Sequence, residues 1–185
     1  MSTKSLVQVA LFAALIAVLA QIAIPLPGGV PITMQLFGIY LAGSLLGAKR
    51  GALALLAYLL LGIVGIPVFA NGRAGIGVLL GPTGGYLLGF LVGTWVLGWL
   101  VERRPQAGYG WMSAAMVVAT LIAYTLGTVQ FVLITEMPLA AALALTVVPF
   151  LPLDLLKILV AAGVAVKARQ LLTTAGYLEP PVGKG

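Results

Sequence analysis

The sequence predicts an all-α integral membrane protein with six transmembrane helices and with both termini in the cytoplasm. Only 8% of the 185 residues are charged and 62% are hydrophobic, whereas an average soluble domain has about 25% charged residues. Apolar segments approaching the roughly 20 residues needed to span a bilayer recur along the chain. Lys and Arg are concentrated at alternate ends of these segments. The lipid bilayer is therefore the expected surrounding of most of the surface.

The apolar segments are separated by prolines, glycines and charged pairs. Proline cannot easily continue a helix, and charged residues favour the membrane boundary over the hydrocarbon core. The predicted spanning helices are residues 5–24, 33–50, 51–66, 84–100, 111–134 and 152–172, in one domain of residues 1–172. A shorter apolar segment, residues 139–148, is predicted to be re-entrant or interfacial, and the tail, residues 173–185, to be disordered.

The distribution of basic residues predicts the orientation, because cytoplasmic loops carry an excess of Lys and Arg. Six crossings place both termini on one side. On that side lie Lys4, Lys49, Arg50, Arg103, Arg104, Lys167 and Arg169. The opposite loops carry only Arg73 and Glu136. The termini are therefore expected in the cytoplasm, and the protein in the cytoplasmic membrane.

The composition excludes several classes of function. The chain contains no Cys and no His, which excludes thiol chemistry, histidine bases and the usual zinc, copper and haem ligands. It has no solvated domain with a basic patch, so nucleic acid is not an expected partner. Paired carboxylates, as in general acid and base catalysis, are absent as well. We therefore predict no catalytic residue, no metal and no cofactor.

A glycine-rich stretch, VFANGRAGIGVLLGPTGGYLLGF, runs from Val68 to Phe90. A phosphate-binding loop needs G-x-x-x-x-G-K-[ST] between a strand and a helix, and this stretch has neither the Lys nor the strand. Residues 68–77 are instead predicted to form an external lid, because glycine permits close backbone approach and hinge motion. Glycines repeat every four residues from Gly85 through Gly89 to Gly93, which favours close helix packing.

An acidic and a basic residue, Asp154 and Lys157, lie inside the last predicted helix. An ionisable group at the bilayer centre costs about 2.5–3.5 kcal/mol on insertion scales. At this spacing the two share one helix face, and Lys157 leans toward the helix N-terminus and Asp154. One alternative is an ion pair that only neutralises itself. Apolar residues would fill the space without the desolvation cost, so the pair indicates a binding site.

Three further polar residues map to the same outer half of the bundle: Gln35, Asn71 and Arg73. Arg73 is either a surface residue or an anchor for a carboxylate, which Arg binds through two parallel hydrogen bonds. Gln35 lies near Thr33, a candidate helix cap. Polar groups of both signs among apolar walls are typical of a small-molecule pocket.

Three segments together resemble the BioY family, the biotin-specific S components of energy-coupling-factor (ECF) transporters. They are the glycine-rich stretch, PITMQ at residues 31–35 and PFLPLDLLK at residues 149–157, and the resemblance extends to about Leu172. It implies an S-component fold that captures biotin from outside with high affinity. It also implies a transmembrane coupling subunit and two cytoplasmic ATPases as partners, with the glycine-rich loop as a gate over the ligand.

The resemblance also implies which residues form the sites. The polar pocket is matched by Asn71, Asp154 and Lys157, with Gln35 and Tyr86 nearby and Arg73 in the gate loop. The small-residue motif that contacts the coupling subunit is matched by Ala10 and Ala14, with Ala13 and Ala17 as the next pair. From spacing alone, the same alanines favour packing inside the bundle over a docking face for a partner.

Three other functions remain open at this point. An S component for thiamin or riboflavin would usually need more aromatic residues in the outer half. A solo biotin carrier that works without an ATPase would have the same sequence features. A membrane enzyme or scaffold is disfavoured, because a scaffold would not need the Asp154–Lys157 pair.

Overall fold

The computed structural model describes residues 2–26, 30–104 and 106–175, and within them the chain is mainly helical. Two short strands, β1 (Ala23–Ile24) and β2 (Ile32–Thr33), pair antiparallel between the first two helices. A 3₁₀ turn spans Ala70–Gly72. The α-helices in the described residues are α1 (Thr3–Gln21), α2 (Gln35–Ile63), α3 (Ile76–Leu80), α4 (Gly84–Glu102), α5 (Tyr109–Thr135), α6 (Leu139–Thr146) and α7 (Leu151–Thr174).

Several of these helices could span a membrane. In the described residues α1, α2, α4 and α5 are long and apolar enough to cross one. Helices α6 and α7 meet at a bend of 50° and make a fifth candidate if they are counted as one span. The prediction of a helical membrane protein is confirmed at the level of a mainly helical chain with four to five candidate spans. The short apolar segment before the last helix becomes α6, a separate helix of 8 residues.

Helix α2, of 29 residues, is interrupted at Gly47 and forms a helical hairpin. Gly47 has φ 79° and ψ −176°, a combination that is essentially restricted to glycine. Gln35 Nε2 donates to the Tyr58 hydroxyl at 3.0 Å, whereas a straight helix would separate these residues by about 35 Å. The two arms, residues 35–46 and 48–63, therefore run antiparallel. The break predicted at residues 49–51 lies at Gly47.

Side chains from three other helices fasten the turn of this hairpin. Glu102 of α4 accepts a hydrogen bond from the Ala48 backbone N–H at 2.9 Å. Arg169 of α7 donates to the Ser44 carbonyl at 2.7 Å. Arg50 donates to Gln8 Oε1 of α1 at 3.1 Å. The start of α1 and the ends of α4 and α7 therefore lie together around the turn, at the end of the bundle where the basic residues cluster.

The glycine face of α4 packs directly on α5. A Cβ atom at Gly89 would lie 2.6 Å from Ala123 Cα, and one at Gly93 would lie 2.8 Å from the Ala119 carbonyl oxygen. Both are shorter than an ordinary van der Waals contact. The predicted role of these glycines in helix packing is confirmed, and their partner is α5 of the same chain.

Helix ends differ from the predicted boundaries where tertiary pairing competes with the helix. Helix α1 ends at Gln21, three residues before the predicted Ile24, because residues 23–24 pair with β2. Ile24 also precedes Pro25, which disfavours a helical conformation. Helix α7 continues to Thr174, past the predicted domain end at residue 172. The rest of the predicted tail, residues 176–185, lies outside the described residues.

Candidate functional site

The centre of the candidate site is a buried ion pair on α7. Lys157 Nζ donates to Asp154 Oδ1 at 2.7 Å, and both side chains are less than 10% exposed. The Tyr124 hydroxyl of α5 donates to the other carboxylate oxygen, Oδ2, at 2.7 Å. Lys157 Nζ also donates to the Thr33 carbonyl of β2 at 2.7 Å. The pairing predicted from the three-residue spacing is observed, and it joins α7 to α5 and to β2.

The local structure explains how an acid is accommodated here. Asp154 lies in the first turn of α7, where the positive end of the helix dipole favours a negative charge. The bend between α6 and α7 places this helix start among the other helices. Lys157 and Tyr124 then supply the charge and the hydrogen bond that a buried carboxylate needs.

The ion pair keeps unused hydrogen-bonding capacity. An ammonium group has three donors and a carboxylate about four acceptor sites, and each group uses two in contacts with described residues. Both side chains line a cavity of about 40 Å³ together with Tyr86, Phe90 and Phe150, which we call the ion-pair cavity. A ligand in this cavity can accept a hydrogen bond from Lys157 and donate one to Asp154 while the ion pair remains intact.

A second cavity of about 60 Å³ adjoins the first. We call it the roof cavity because residues 64–83, the roof loop between α2 and α4, cover it. Its lining includes Gln35, Arg73 and Thr83. The two cavities share five lining residues, namely Val30, Pro31, Thr33, Tyr86 and Phe90. They are therefore neighbouring parts of one site.

Aromatic packing joins the roof loop to α2 beside the roof cavity. Phe69 of the loop is 1% exposed, and its ring meets that of Tyr58 edge to face, with centroids 5.6 Å apart. Tyr58 in turn accepts the hydrogen bond from Gln35, which lines the roof cavity. The position of the roof loop is therefore coupled to a polar group inside the cavity.

Comparison with known proteins identifies the family. The sequence model of the BioY family matches residues 1–174. The chain belongs to the BioY family. It is 43% identical over 169 residues to the biotin transporter BioY of Thermotoga maritima, a match that covers 91% of this chain and 97% of that one. It is 41% identical over 175 residues to the biotin transporter BioY of Rhodobacter capsulatus, covering 88% and 91%.

A solved structure has the same fold as this BioY chain. It is the crystal structure of the S-component for biotin from an ECF-type ABC transporter. The two superpose with a TM-score of 0.84 at 27% sequence identity, over 92% of this chain and 95% of the other. The S-component fold expected from the resemblance is therefore found in a structural relative.

Most of the pocket residues predicted for this BioY chain come together. Gln35, Arg73 and Tyr86 line the roof cavity, and Tyr86 also lines the ion-pair cavity with Asp154 and Lys157. The Tyr86 hydroxyl, at the boundary between the two, lies 3.3 Å from Thr128 Oγ1 and 3.4 Å from the Thr146 carbonyl.

Asn71 is placed differently from the other predicted pocket residues. It lies in the 3₁₀ turn of the roof loop with φ 59°, a left-handed conformation. Its side chain is exposed and lines neither cavity. Asn adopts left-handed backbone more readily than most residues. The backbone conformation alone is thus a sufficient structural reason for an Asn at this position.

Two residues of the site were missed by sequence reasoning. Tyr124 holds Asp154, and its only sequence signal is a tyrosine far from the membrane boundary, where such residues are usual. Thr83 lines the roof cavity, and its buried hydroxyl has no hydrogen-bond partner among the described residues. Thr83 precedes α4 without capping it. A threonine at a helix start is normally a cap, and no signal in the sequence marks this one as a cavity residue.

The two alanine pairs of α1 lie on different faces. Ala10 and Ala14 are exposed, among exposed apolar neighbours such as Leu11 and Val18. Ala13 is 2% exposed and packs in the core against α2, with Ala17 partly buried beside it. The surface available to a partner of the BioY chain is therefore the face with Ala10 and Ala14.

Proposed function

We propose that this protein is the biotin-binding S component of an ECF transporter, a transport protein and not an enzyme. The observation that carries the proposal is the buried Asp154–Lys157 pair, which retains free donors and acceptors beside a cavity under a glycine-rich loop. Relatives named biotin transporters, and a structural relative described as the S-component for biotin, support the choice of ligand.

The chemistry of biotin matches the polarity of the two cavities. Its ureido group has N–H donors and a carbonyl acceptor, its rings and chain are apolar, and its tail ends in a carboxylate. In the proposed orientation Asp154 accepts from a ureido N–H and Lys157 donates to the ureido carbonyl. Arg73 binds the carboxylate at the roof cavity, with Gln35 and Tyr86 between the two ends of the ligand.

Binding requires the roof loop to move. The cavities measure about 60 and 40 Å³, whereas pockets for small organic ligands are about 300–1,000 Å³. Displacement of the roof loop enlarges the roof cavity without disturbing α4, α5 or α7. The same movement carries Asn71 with the loop, so the proposed contact of Asn71 with biotin depends on the rearranged loop.

Energy for transport comes, in this proposal, from separate subunits: a transmembrane coupling subunit and two cytoplasmic ATPases. The exposed face of α1 with Ala10 and Ala14 is the proposed docking surface for the coupling subunit, because small residues allow helices to approach closely in lipid.

Uptake of radiolabelled biotin tests this function. Cells without a biotin transporter of their own are expected to take up biotin when the protein is expressed together with the coupling subunit and ATPases, and to take up little with the protein alone. Equal uptake without the ATPases would instead establish a solo carrier. Uptake of thiamin or riboflavin in place of biotin would refute the ligand assignment.

We further propose that the chain crosses the cytoplasmic membrane six times with both termini inside the cell. The hairpin of α2 supplies two crossings, the bent α6–α7 pair one, and α1, α4 and α5 one each. The hydrogen bonds around the α2 turn gather Arg50, Glu102 and Arg169 at one end of the bundle. An excess of basic residues at one end is typical of the cytoplasmic side.

Cysteine labelling tests this topology, and the chain suits it because it contains no Cys. Ser2, Arg103 and Pro138 are all exposed. In intact cells a membrane-impermeant maleimide is expected to label Pro138→Cys, but to label Ser2→Cys and Arg103→Cys only after permeabilisation. Labelling of Ser2→Cys and Pro138→Cys from the same side would contradict the six-crossing proposal.

A further inference from the structure

The first half of the roof loop is attached to α1 by one glutamine. Gln21 Nε2 donates to the carbonyl oxygens of Val68 at 3.1 Å and Phe69 at 3.2 Å. Gln21 Oε1 accepts from the Gly72 backbone N–H at 3.0 Å. One side chain at the end of α1 thus binds three backbone groups immediately before Arg73.

The second half of the roof loop is attached to α5 by another glutamine. Gln130 Nε2 donates to the carbonyl oxygens of Leu79 and Gly81, both at 2.7 Å. These carbonyls lie at the end of α3, just before Thr83. The loop is therefore held at two places by the same chemistry, but from two different helices.

A flexible connection joins the two halves. Gly75 has φ 90°, and added Cβ atoms at Gly75 and Gly77 would meet no other atom within 4 Å. The Gly75 N–H is bonded to the Gly62 carbonyl at 2.7 Å, which holds this point against the end of α2. Glycine imposes little restriction on backbone rotation, so the halves can separate about this point.

The two helices that hold the loop differ in their surroundings. Helix α1 packs on α2, β2 and the 3₁₀ turn, whereas α5 packs on α4, α6 and α7. Helix α1 is also the less buried of the two. The half of the roof that carries Arg73 is attached to this less buried helix, and the half that adjoins Thr83 is attached to α5.

We propose that Gln21 is a positioning residue that holds the first half of the roof loop over the roof cavity. Ligand enters when the three hydrogen bonds between Gln21 and the roof loop break and residues 68–73 move away from α3. Because the same side chain belongs to the helix with the exposed Ala10 and Ala14 face, movement of α1 and opening of the roof are mechanically linked. The role in ligand entry rests on the proposed function.

The exposure of the Gln21 bonds is consistent with bonds that break when the roof loop opens. Gln21 is exposed, and its bonds to Val68 and Gly72 are exposed as well. Water competes for these two exposed bonds, so each contributes little net stability. The third bond, to the Phe69 carbonyl, is half-buried. The bonds of Gln130 are half-buried, and the second half of the roof is accordingly the fixed half.

Binding kinetics test the proposal. In Gln21→Met, the association and dissociation rate constants for biotin, measured by stopped flow, are each expected to rise about tenfold, because the bonds that close the roof are lost. The dissociation constant is expected to stay within about threefold of that of the unaltered protein. Gln8→Met is the matched control, since Gln8 lies on the same helix but bonds to Arg50 at the other end. Its rate constants are expected to be unchanged.

Hydrogen exchange gives a readout that needs no biotin. Without Gln21 the Gly72 amide loses its acceptor, so peptides covering residues 66–75 are expected to exchange faster in Gln21→Met. Peptides covering residues 78–83 are expected to change only in Gln130→Met. Unchanged hydrogen exchange at Gly72 would refute the proposed role of Gln21. So would a weaker affinity for biotin with an unchanged or slower association rate. If the unaltered protein binds no biotin, the proposed function fails, and exchange alone decides the role of Gln21.

Discussion

Asp154→Ala is expected to weaken biotin binding about 10- to 100-fold, because a buried hydrogen bond to a charged group contributes about 1.5–3 kcal/mol and each 1.4 kcal/mol is tenfold in affinity. The change removes the acceptor proposed for the ureido N–H and also releases Lys157 from its partner. Isothermal titration of the purified protein measures the effect. An unchanged affinity would exclude Asp154 from the binding site.

A second variant separates loss of binding from loss of folding. Asp154→Ala leaves the Lys157 ammonium buried without a carboxylate, and breaking a buried pair on one side costs about 3–5 kcal/mol. The double variant Asp154→Leu with Lys157→Met removes both charges at similar volume, which is often neutral or stabilising. We expect it to unfold at or near the temperature of the unaltered protein and still not bind biotin. A folded double variant that binds biotin would contradict the assignment.

Gly47→Ala is expected to destabilise the protein by about 2.5–6 kcal/mol. The backbone at Gly47, with φ 79° and ψ −176°, costs about 1–3 kcal/mol for a residue with a side chain. The new methyl group would also displace Glu102, whose carboxylate lies against this position and binds the Ala48 N–H. Loss of that bond removes about 1.5–3 kcal/mol more. Thermal unfolding in detergent measures the change.

Gly163→Ala is the matched control for this prediction. Gly163 lies within α7, and an added Cβ atom would approach no other residue closer than 3.9 Å, at Tyr109. Ala is favoured over Gly inside a helix by about 0.5–1 kcal/mol, so this variant is expected to be as stable as the unaltered protein or slightly more so. Equal destabilisation by both substitutions would show that the turn does not depend on glycine at residue 47.

The ion pair could be predicted from sequence because its geometry is local. Asp154 and Lys157 are three residues apart on one helix, and helix geometry alone brings them to one face. Candidate spanning segments were predictable for a similar reason, since the length and apolarity of a segment decide whether it can cross a bilayer. The packing glycines of α4 followed from their spacing of four residues.

The partners of the ion pair could not be predicted, because they are distant in sequence. Tyr124 and the Thr33 carbonyl reach the pair only through the packing of α5 and β2 against α7. The sequence predicts the turn of α2 at residues 49–51, because the charged pair Lys49–Arg50 is the strongest local signal. Its actual position at Gly47 depends on contacts with Glu102 and Arg169 from other helices.

By itself, the sequence determined that the protein belongs in a membrane, which segments are apolar enough to be candidate spans and that one helix carries a charged pair, because composition and helical spacing suffice for each. Only the tertiary structure decided that Gln35, Arg73 and Tyr86 share a cavity, that Ala10 and Ala14 face outward while Ala13 faces inward, and that Gln21 holds the roof. Each of those depends on how helices pack side by side, and nothing in the spacing along one chain specifies which distant backbone group a side chain meets.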